Sequence, residues 1–265
     1  MVNVDGVSLK KAEVEDAESL TESCKRAFDS DSEYGEPAPG GPPGYDSIEW
    51  NINAINNKWL QYRNILSGSE IAGGFIVGNR GPGYQVCERI WIDLDYMRKG
   101  IATKAFELIW EKYPSADLWA LGTPEWNTRT NPFYQSLGFV KIGMTHDYPT
   151  WSGNYYEKRI KDGFPRSMSR IGDLHNEQQR VIIEGHVDNI SNPRNVTSRK
   201  TGEELKVADV VVSDDTGSIT LVLWNDQIRQ VMVNSRIRVE EGFVKEFRDE
   251  LQLSVGQWGM IITLL

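Results

Sequence analysis

The first part of the chain alternates short apolar runs with longer stretches in which apolar residues recur every three or four positions. The strand-like runs are 7–12, 59–66, 71–80, 84–94, 117–123, 139–147 and 155–160. Helical spacing covers 15–28, 46–57, a segment that starts near Lys99, and 128–137. Because some strands follow one another directly and others are separated by helices, the pattern predicts an α+β or mixed α/β fold.

The pattern changes after residues 162–170, since no long helical stretch follows. Five strand candidates remain, at 180–191, 206–213, 218–224, 236–244 and 250–258. A short helical stretch, 225–233, lies between the third and the fourth. This layout predicts an all-β, five-stranded OB-fold barrel. We therefore expect an N-terminal domain at 1–162, a linker at 163–170 and a C-terminal domain at 171–265.

Composition narrows the class of protein. The 265 residues are 39% hydrophobic and 25% charged, as in ordinary globular proteins, and the net charge of −9 gives no overall basic field. Two cysteines, Cys24 and Cys87, are too few for a disulfide framework, and no 18-residue apolar run occurs. We expect a cytoplasmic protein without a membrane segment. The three histidines and two cysteines show no metal-ligand spacing, so no metal is expected.

The turn between the strand at 84–94 and the next helix contains candidate chemistry. Arg98 and Lys99 precede Gly100, and Ala102 follows one residue later. A helix N-terminus presents unpaired N–H groups and partial positive charge, which suits a pyrophosphate, and small residues allow phosphates to approach the backbone. A solvated surface turn with two cations is the alternative.

Two motifs resemble the GNAT superfamily of N-acetyltransferases over roughly residues 7–162. Met97–Ala102 resembles its acetyl-CoA signature, Arg/Gln-x-x-Gly-x-Gly/Ala, except that Met97 replaces the usual Arg or Gln. About thirty residues later, 127–139 resembles a second motif of the family. The matching positions there are Asn127, Phe133, Tyr134, Gly138 and Phe139, while Thr130 stands where alanine is usual.

The resemblance implies the GNAT acyltransferase fold and acetyl-CoA as co-substrate. The backbone of Ile92, Asp93 and Leu94 would bond the pantetheine, and Asn127 would contact the same arm. The pyrophosphate would be held by the amides of Arg98, Lys99, Gly100, Ile101, Ala102 and Thr103. Tyr134 aligns with the tyrosine that, in many members, protonates the departing thiolate; the alternative is a packing tyrosine beside Phe133.

A base must also deprotonate the amine. Glu88 lies an even number of residues upstream of Ile92, so regular alternation predicts that both project from one face. The alternative for Glu88 is an ion pair with Arg63, Arg80 or Arg89, and His146 is a less favoured base.

The acceptor would be a primary amine, on a small molecule, a peptide, or a protein lysine or N-terminus. The second helix and its preceding loop carry an acidic rim near Trp50, consisting of Asp29, Asp31, Glu33, Glu36, Asp46 and Glu49. Such a rim would suit a cationic amine. A solvated acidic loop is the alternative.

Residues 170–260 resemble the OB-fold of archaeal single-stranded DNA-binding proteins and replication protein A. The resemblance rests on "VVVSDDTGSITLVLW" and "EEGFVKEFRDELQLSVG", and it places Trp224, Phe243 and Phe247 where those proteins stack bases. In 218–224, Ile219, Leu221 and Leu223 should point inward. The outward Trp224 would bind single-stranded DNA or RNA.

Charge in this region argues against strong nucleic-acid binding. Residues 168–265 contain 11 Lys and Arg against 15 Asp and Glu, a net charge of −4, whereas phosphate neutralisation supplies most nonspecific affinity. A local basic patch is the remaining source: Arg194, Arg199, Lys200, Lys206 and Arg248. The alternative is that the aromatic residues form an interface with the N-terminal domain or with a second subunit, as in a homodimer.

The sequence thus predicts an N-acetyltransferase that acts by direct attack in a ternary complex and carries an OB-fold module. The alternative is a catalytically weak or inactive acyl-CoA-binding domain that serves as a scaffold for the barrel.

Overall fold

The computed structural model describes residues 6–147, 151–198 and 201–265. It contains two compact units, here called the N-terminal unit (residues up to 79, 83–140 and 157–161) and the C-terminal unit (80–82, 141–156 and 162–265). In the described ranges, no helix is long and apolar enough to cross a membrane. Both cysteines are free and buried.

Apart from 3-10 helices, the described residues begin with nine α-helices and β-strands, in an order that matches the predicted alternation. They are β1 (Val7–Lys11), α1 (Ala17–Asp29), α2 (Ile48–Asn56), β2 (Leu60–Ser67), β3 (Glu70–Gly81), β4 (Tyr84–Ile92), α3 (Ile101–Lys112), β5 (Leu118–Pro124) and α4 (Thr130–Ser136). The strand order is β1-β2-β3-β4-β5. β1 pairs antiparallel with β2, and β2 with β3, whereas β4 and β5 are parallel. The sheet is therefore mixed, as the sequence predicts.

The helices α1 and α2 bury one face each against this sheet. The N-terminus of α2 is capped by Ser47, whose hydroxyl accepts the Trp50 N–H at 3.2 Å. The resulting core cluster contains Ala12, Leu20, Cys24, Ala27, Ala54, Tyr62, Ile76 and Trp91. A buried hydrogen bond lies within this packing: the Tyr62 hydroxyl donates to Asn51 Oδ1 at 2.5 Å. Paired polar groups of this kind fix one arrangement of the buried helices.

The remaining strands belong mainly to the C-terminal unit. They are β6 (Val140–Asp147), β7 (Trp151–Arg159), β8 (Gln179–Ile190), β9 (Arg194–Thr197), β10 (Glu204–Ser213), β11 (Ser218–Trp224), β12 (Arg236–Phe247) and β13 (Glu250–Leu264). The short strand β9 lies in what the sequence suggests is a loop. The predicted helix at 225–233 forms as a 3-10 helix, Asn225–Gln230.

Five of these strands close into a barrel. β8 pairs with β10, β10 with β11, β11 in parallel with β13, β13 with β12, and β12 returns to β8. Ile219, Leu221 and Leu223 project into its core, as predicted. The closed ring confirms the five-stranded OB-fold.

The turn between β10 and β11 anchors the segment that enters the barrel. Asp214 accepts hydrogen bonds from the N–H groups of Ile171, Thr216 and Gly217 at 2.8, 2.8 and 3.1 Å. Although burial acts to raise its pKa, these hydrogen bonds leave the pKa of Asp214 lowered. Arg170 Nη1 donates to both carboxylate oxygens of Asp215, at 2.8 and 3.0 Å. The Asp-x-Thr-Gly sequence is therefore a structural clamp.

Residues 141–156 belong to the same compact unit as the barrel. The end of β13 pairs with β6, joining Ile262 to Thr145, and the Tyr155 hydroxyl donates to the fully buried Glu240 at 3.2 Å. The predicted domain limits, 1–162 and 171–265, are drawn from the fold of each half. The compact units are divided differently, since 141–156 lie with the barrel, and the predicted limits stay a prediction.

Candidate active site and nucleic-acid interface

The turn before α3 presents backbone donors. Arg98 and Gly100 both have left-handed backbones, with φ of 59° and 77°. Such a conformation is costly at Arg98, because an L side chain there crowds the backbone. The helical hydrogen-bond ladder starts with Lys104 N–H to Gly100 O at 3.1 Å. The amides of Ile101, Ala102 and Thr103 precede it and so have no intrahelical partner.

These donors fit an anionic group. Three N–H groups lie in the first turn of a twelve-residue helix, where the helix dipole adds positive charge. Arg98 is exposed beside them, and Ala102 has only a methyl side chain. Lys99 contributes less than its position suggests, because its ammonium bonds the Asp95 carbonyl and lies 5.4 Å from the Tyr96 ring centroid.

The end of β4 is partly committed to the fold. Asp93 N–H donates to Ala72 O at 2.8 Å, and the Asp93 carboxylate pairs with Arg26 at 3.2 Å. Of the predicted pantetheine-binding backbone, the Asp93 amide is thus already engaged, and the Leu94 carbonyl accepts the Met97 N–H at 3.3 Å. Ile92 and the Leu94 amide stay the predicted contacts. The Leu94 side chain is 43% exposed.

β4 and β5 pair only near their beginnings. The register joins Tyr84, Gln85 and Val86 to Leu118, Trp119 and Ala120. Both strands continue beyond these pairs, β4 to Ile92 and β5 to Pro124. Two parallel strands that separate after three pairs leave main-chain groups facing each other across a wedge. An extended ligand arm can hydrogen-bond in such a wedge as an added strand does.

Met97 occupies an interior position. Its side chain packs against the core cluster that α1 and α2 form, and its sulfur lies 3.3 Å from Arg129 Nη1. The side chain at this first position of the motif therefore faces the protein. No role toward the cofactor follows from the methionine itself.

Tyr134 lies on α4 in an aromatic cluster. Its ring centroid is 5.4 Å from that of Phe133 and 6.2 Å from those of Phe106 and Phe139. The side chain is 7% exposed, and burial, followed by Cys87 and Asp31, raises the pKa of the phenol. The hydroxyl is therefore protonated at neutral pH, which an acid requires, and the ring also packs as the alternative describes.

Asn127 and Arg129 hold the beginning of α4. Asn127 Oδ1 accepts the N–H groups of Arg129 and Thr130 at 3.1 and 3.0 Å. Arg129 pairs with Asp31, which is 4% exposed. Burial raises the pKa of Asp31, while Arg129 and a hydrogen bond from Asn127 oppose the rise. Sequence reasoning missed Arg129, since it occupies an unspecified position of the second motif and its partner lies 98 residues away.

Glu88 does not share a face with Ile92. Gly74 and Gly78 lie on one face of β3, because β3 pairs residue by residue with β2 between them. The Trp91 ring covers Gly74, and the Glu88 carboxylate covers Gly78. Glu88 therefore projects from the face of Trp91, towards which α1 and α2 pack. The physical reason is an irregularity in β4 between Glu88 and Trp91, which alternation cannot anticipate.

The acidic rim is less open than its composition suggests. Asp29 bonds Lys25 and accepts the Tyr45 hydroxyl at 3.0 Å, and Asp31 pairs with Arg129. The face of Trp50 already holds the Arg89 guanidinium, with Cζ 4.1 Å from the ring centroid. Arg89 Nη2 also donates to Pro43 O at 2.9 Å. An acceptor cation would therefore meet a partly satisfied surface.

The barrel gathers the predicted stacking residues on one outer face. Val222 of β11 and Phe243 of β12 both pair with Ser254 of β13, and directly paired residues project from the same face. Trp224 follows Val222 by two residues and is 39% exposed. Phe247 lies four residue pairs beyond Phe243, at the end of the hairpin and on the same face, and is 54% exposed.

The described members of the predicted basic patch differ in whether other groups already engage them. Arg194 forms a hydrogen-bonded pair with Asp209 at 2.7 Å, and Arg248 lies over the Phe247 ring at 5.1 Å. Lys206 is exposed, whereas Arg199 and Lys200 lie outside the described residues. Lys245, which sequence reasoning missed, lies 5.6 Å from the Phe243 ring centroid. In the described ranges, no group of three His, Cys, Asp or Glu could hold a metal ion.

Family comparisons match each half separately. Residues 24–139 match the acetyltransferase (GNAT) family, and residues 173–263 match the single-stranded DNA binding protein Ssb-like OB fold. Replication factor A of Methanothermobacter thermautotrophicus is 45% identical over 62 residues, which are 23% of this chain and 8% of that protein. The aligned stretch thus spans under a tenth of that relative.

Two solved structures are among those to which parts of this chain are similar. The replication factor A related protein from Methanobacterium thermoautotrophicum is 27% identical over 37% of this chain and 90% of that chain, with a TM-score of 0.32. The PaiA N-acetyltransferase from Thermoplasma acidophilum, solved in complex with coenzyme A, is 18% identical over 58% of this chain and 99% of that one, with a TM-score of 0.45.

The family matches confirm both resemblances that the motifs indicate. They also agree with the observed folds, a GNAT fold followed by an OB-fold barrel.

Proposed function

We propose that this protein transfers an acetyl group from acetyl-CoA to a primary amine by direct attack in a ternary complex. The observation that carries the proposal is the α3 turn, where unpartnered amides follow a left-handed Gly100 beside the wedge of β4 and β5. Ile92 and Leu94 would hold the pantetheine, and the amides from Arg98 to Thr103 would hold the pyrophosphate. When bound, acetyl-CoA supplies the acetyl group as a thioester.

The side chains would move two protons. Glu88 would accept a proton from the ammonium of the acceptor, because only the free amine is nucleophilic. As the nitrogen–carbon bond forms and the carbon–sulfur bond breaks, Tyr134 would donate its hydroxyl proton to the thiolate, and the second proton that the nitrogen loses on becoming an amide would pass through solvent to the tyrosine oxygen. Since a thiolate is a good leaving group, we expect Tyr134→Phe to reduce turnover rather than abolish it.

Thiol release from acetyl-CoA tests this proposal, measured with a polyamine, a lysine-rich peptide and a peptide with a free N-terminus. We expect at least one amine to accelerate release over the amine-free rate and to gain 42 Da, roughly one acetyl group, by mass spectrometry. If acetyl-CoA binds but no amine accelerates release, the alternative of an acyl-CoA-binding scaffold is supported instead.

We further propose that the barrel binds single-stranded DNA or RNA weakly. Support comes from the exposed Trp224 and Phe247, with Lys245 and Arg248 beside the aromatic rings. With a net charge of −4 in residues 168–265, stacking would supply more of the affinity than phosphate contacts would. A homodimer through this face is the competing proposal, and sedimentation with and without an oligonucleotide distinguishes the two. The cytoplasmic location stays a prediction.

A further inference from the structure

The 3-10 helix after α1 lies against the start of α4. The helix spans Ser30–Tyr34 and is followed by Gly35, whose φ is 116°. It belongs to a longer segment, residues 30–36. This segment opens the loop that the sequence assigns to acceptor choice. We call it the acceptor segment, and its role in the reaction rests on the proposed function.

The side chain of Arg129, which directly precedes α4, makes several polar contacts with this segment. Arg129 pairs with Asp31 and donates to Ser30 Oγ at 3.1 Å. The guanidinium carbon also lies 4.5 Å from the Tyr34 ring centroid. A guanidinium that pairs with a carboxylate and stacks on a ring is held in one orientation, which a lysine could not reproduce.

Main-chain contacts join the same two segments. The N–H and hydroxyl of Thr128 both donate to Tyr34 O, at 3.0 and 3.1 Å. A Cβ at Gly35 would lie 2.5 Å from Trp126 O, so the two backbones approach as closely as glycine permits. The acceptor segment therefore moves with residues 126–129.

The same guanidinium reaches the cofactor motif. Arg129 Nη1 lies 3.3 Å from Met97 Sδ, at the position where the related signature carries Arg or Gln. A second cation at residue 97 would repel Arg129 at this distance. Arg129, which directly precedes α4, thus places its guanidinium beside the first position of the motif.

We propose that Arg129 is a positioning residue that couples acetyl-CoA binding to the acceptor segment. It connects Met97, at the start of the cofactor turn, to Asp31 and Tyr34. Asn127, two residues before it, belongs to the predicted pantetheine contact. Acetyl-CoA that orders the turn and Asn127 would therefore also order residues 30–36, before any amine binds.

Hydrogen exchange with and without acetyl-CoA tests the coupling on the full chain. In the wild type we expect acetyl-CoA to slow exchange both at 98–103 and at 30–36, the second by roughly fivefold or more, which is the lower end of typical coupling. In the double variant Asp31→Asn/Arg129→Met, which removes both charges together, we expect protection at 98–103 to remain and protection at 30–36 to disappear. The single variant Arg129→Lys, with Asp31 unchanged, should show only part of the wild-type protection at 30–36.

A matched control is Arg170→Met, which removes a cation paired with an exposed aspartate elsewhere in the chain. Its exchange at 98–103 and at 30–36, with and without acetyl-CoA, should equal that of the wild type. Met97→Arg, which places two cations together, should weaken acetyl-CoA binding, and Met97→Arg/Arg129→Met should recover it.

The outcomes separate the coupling from the enzyme proposal. Persistent protection at 30–36 in the double variant would overturn the coupling and leave the proposed function intact. No protection at 98–103 in the wild type would instead contradict the cofactor site itself. If Asp31→Asn/Arg129→Met shows no cooperative thermal unfolding, and so is not folded, the two Met97 variants provide the test. Failure of Met97→Arg/Arg129→Met to recover acetyl-CoA binding would then overturn the coupling.

Discussion

The α3 turn and the outer face of the barrel offer binding groups of different kinds. The turn uses main-chain N–H groups, fixed by the left-handed Gly100 and by the start of a helix. The barrel face uses side chains, Trp224, Phe243 and Phe247, on a regular sheet. A site made of backbone N–H groups tolerates Met97 in place of the usual Arg or Gln, because that side chain does not supply the donors. A face of exposed rings depends on each ring.

The two regions also differ in how far their charges are satisfied. Near the α3 turn, the buried carboxylate of Asp31 is paired with Arg129. On the barrel, Lys245 and Arg248 lie over the rings of their own hairpin, at 5.6 and 5.1 Å. A nucleic acid would exchange these cation–π contacts for base stacking and phosphate contacts, which limits its net gain.

The largest expected effect is on the acetyltransferase side. Glu88→Gln removes the proposed base, and we expect kcat/KM for amine acetylation to fall by roughly 10²- to 10⁴-fold, as for other general bases. The dissociation constant of acetyl-CoA should not change, because the carboxylate covers Gly78 rather than the α3 turn. Steady-state rates with the best amine, and calorimetry, measure the two quantities.

The exposed Glu111 on α3 provides the control for this substitution. Glu111→Gln should leave both quantities unchanged. Equal rates for Glu88→Gln and the wild type would assign Glu88 to an ion pair and remove it from the mechanism.

Trp224→Ala should weaken binding of a fluorescent oligothymidine by about 1–3 kcal/mol, the usual contribution of one stacked base. Fluorescence anisotropy at low salt measures the change. Trp59→Ala is the matched control, since Trp59 is 55% exposed and lies on the N-terminal unit. Identical affinities for the two variants would assign the barrel face to a protein partner.

The hairpin between β12 and β13 contains a strained turn. Arg248 and Asp249 have φ of 55° and 64°, and both are non-glycine residues. Since a two-residue turn with two positive φ angles favours glycine, Asp249→Gly should stabilise the barrel by about 1 kcal/mol. Chemical denaturation measures this. Glu204→Gly, at the exposed and regularly paired start of β10, should destabilise it. A stabilising Glu204→Gly would show that turn geometry is not the cause.

The smallest expected effect is a pH dependence at the β10–β11 turn. Because the folded-state pKa of Asp214 is lowered, its carboxylate stabilises the fold above the unfolded-state pKa. This contribution is lost as the pH falls through the folded-state pKa. Denaturation midpoints of Asp214→Asn and the wild type should therefore converge in acid. A constant difference from pH 7 to acid would contradict the assignment.

The sequence predicted the order of elements and the barrel because periodicity and turn residues are local signals. It also located the α3 turn, since a helix N-terminus after a strand depends on neighbouring residues. It misplaced Glu88, because an irregularity in β4 reverses the expected face. It missed the contacts of Arg129 with Asp31, since side chains 98 residues apart meet only through tertiary packing. The ion pair of Arg194 with Asp209 could not be read from the sequence for the same reason, and the basic patch stays a prediction.

Calorimetric titration with acetyl-CoA tests the central claim most directly, on the wild type, Ala102→Glu and Ser115→Glu. The first variant places a carboxylate in the first turn of α3, and the second adds the same charge just past the end of that helix. We predict saturable one-to-one binding for the wild type and Ser115→Glu, with binding lost in Ala102→Glu. Absence of binding to the wild type, or unchanged binding to Ala102→Glu, would contradict the assignment of the α3 turn as the pyrophosphate site.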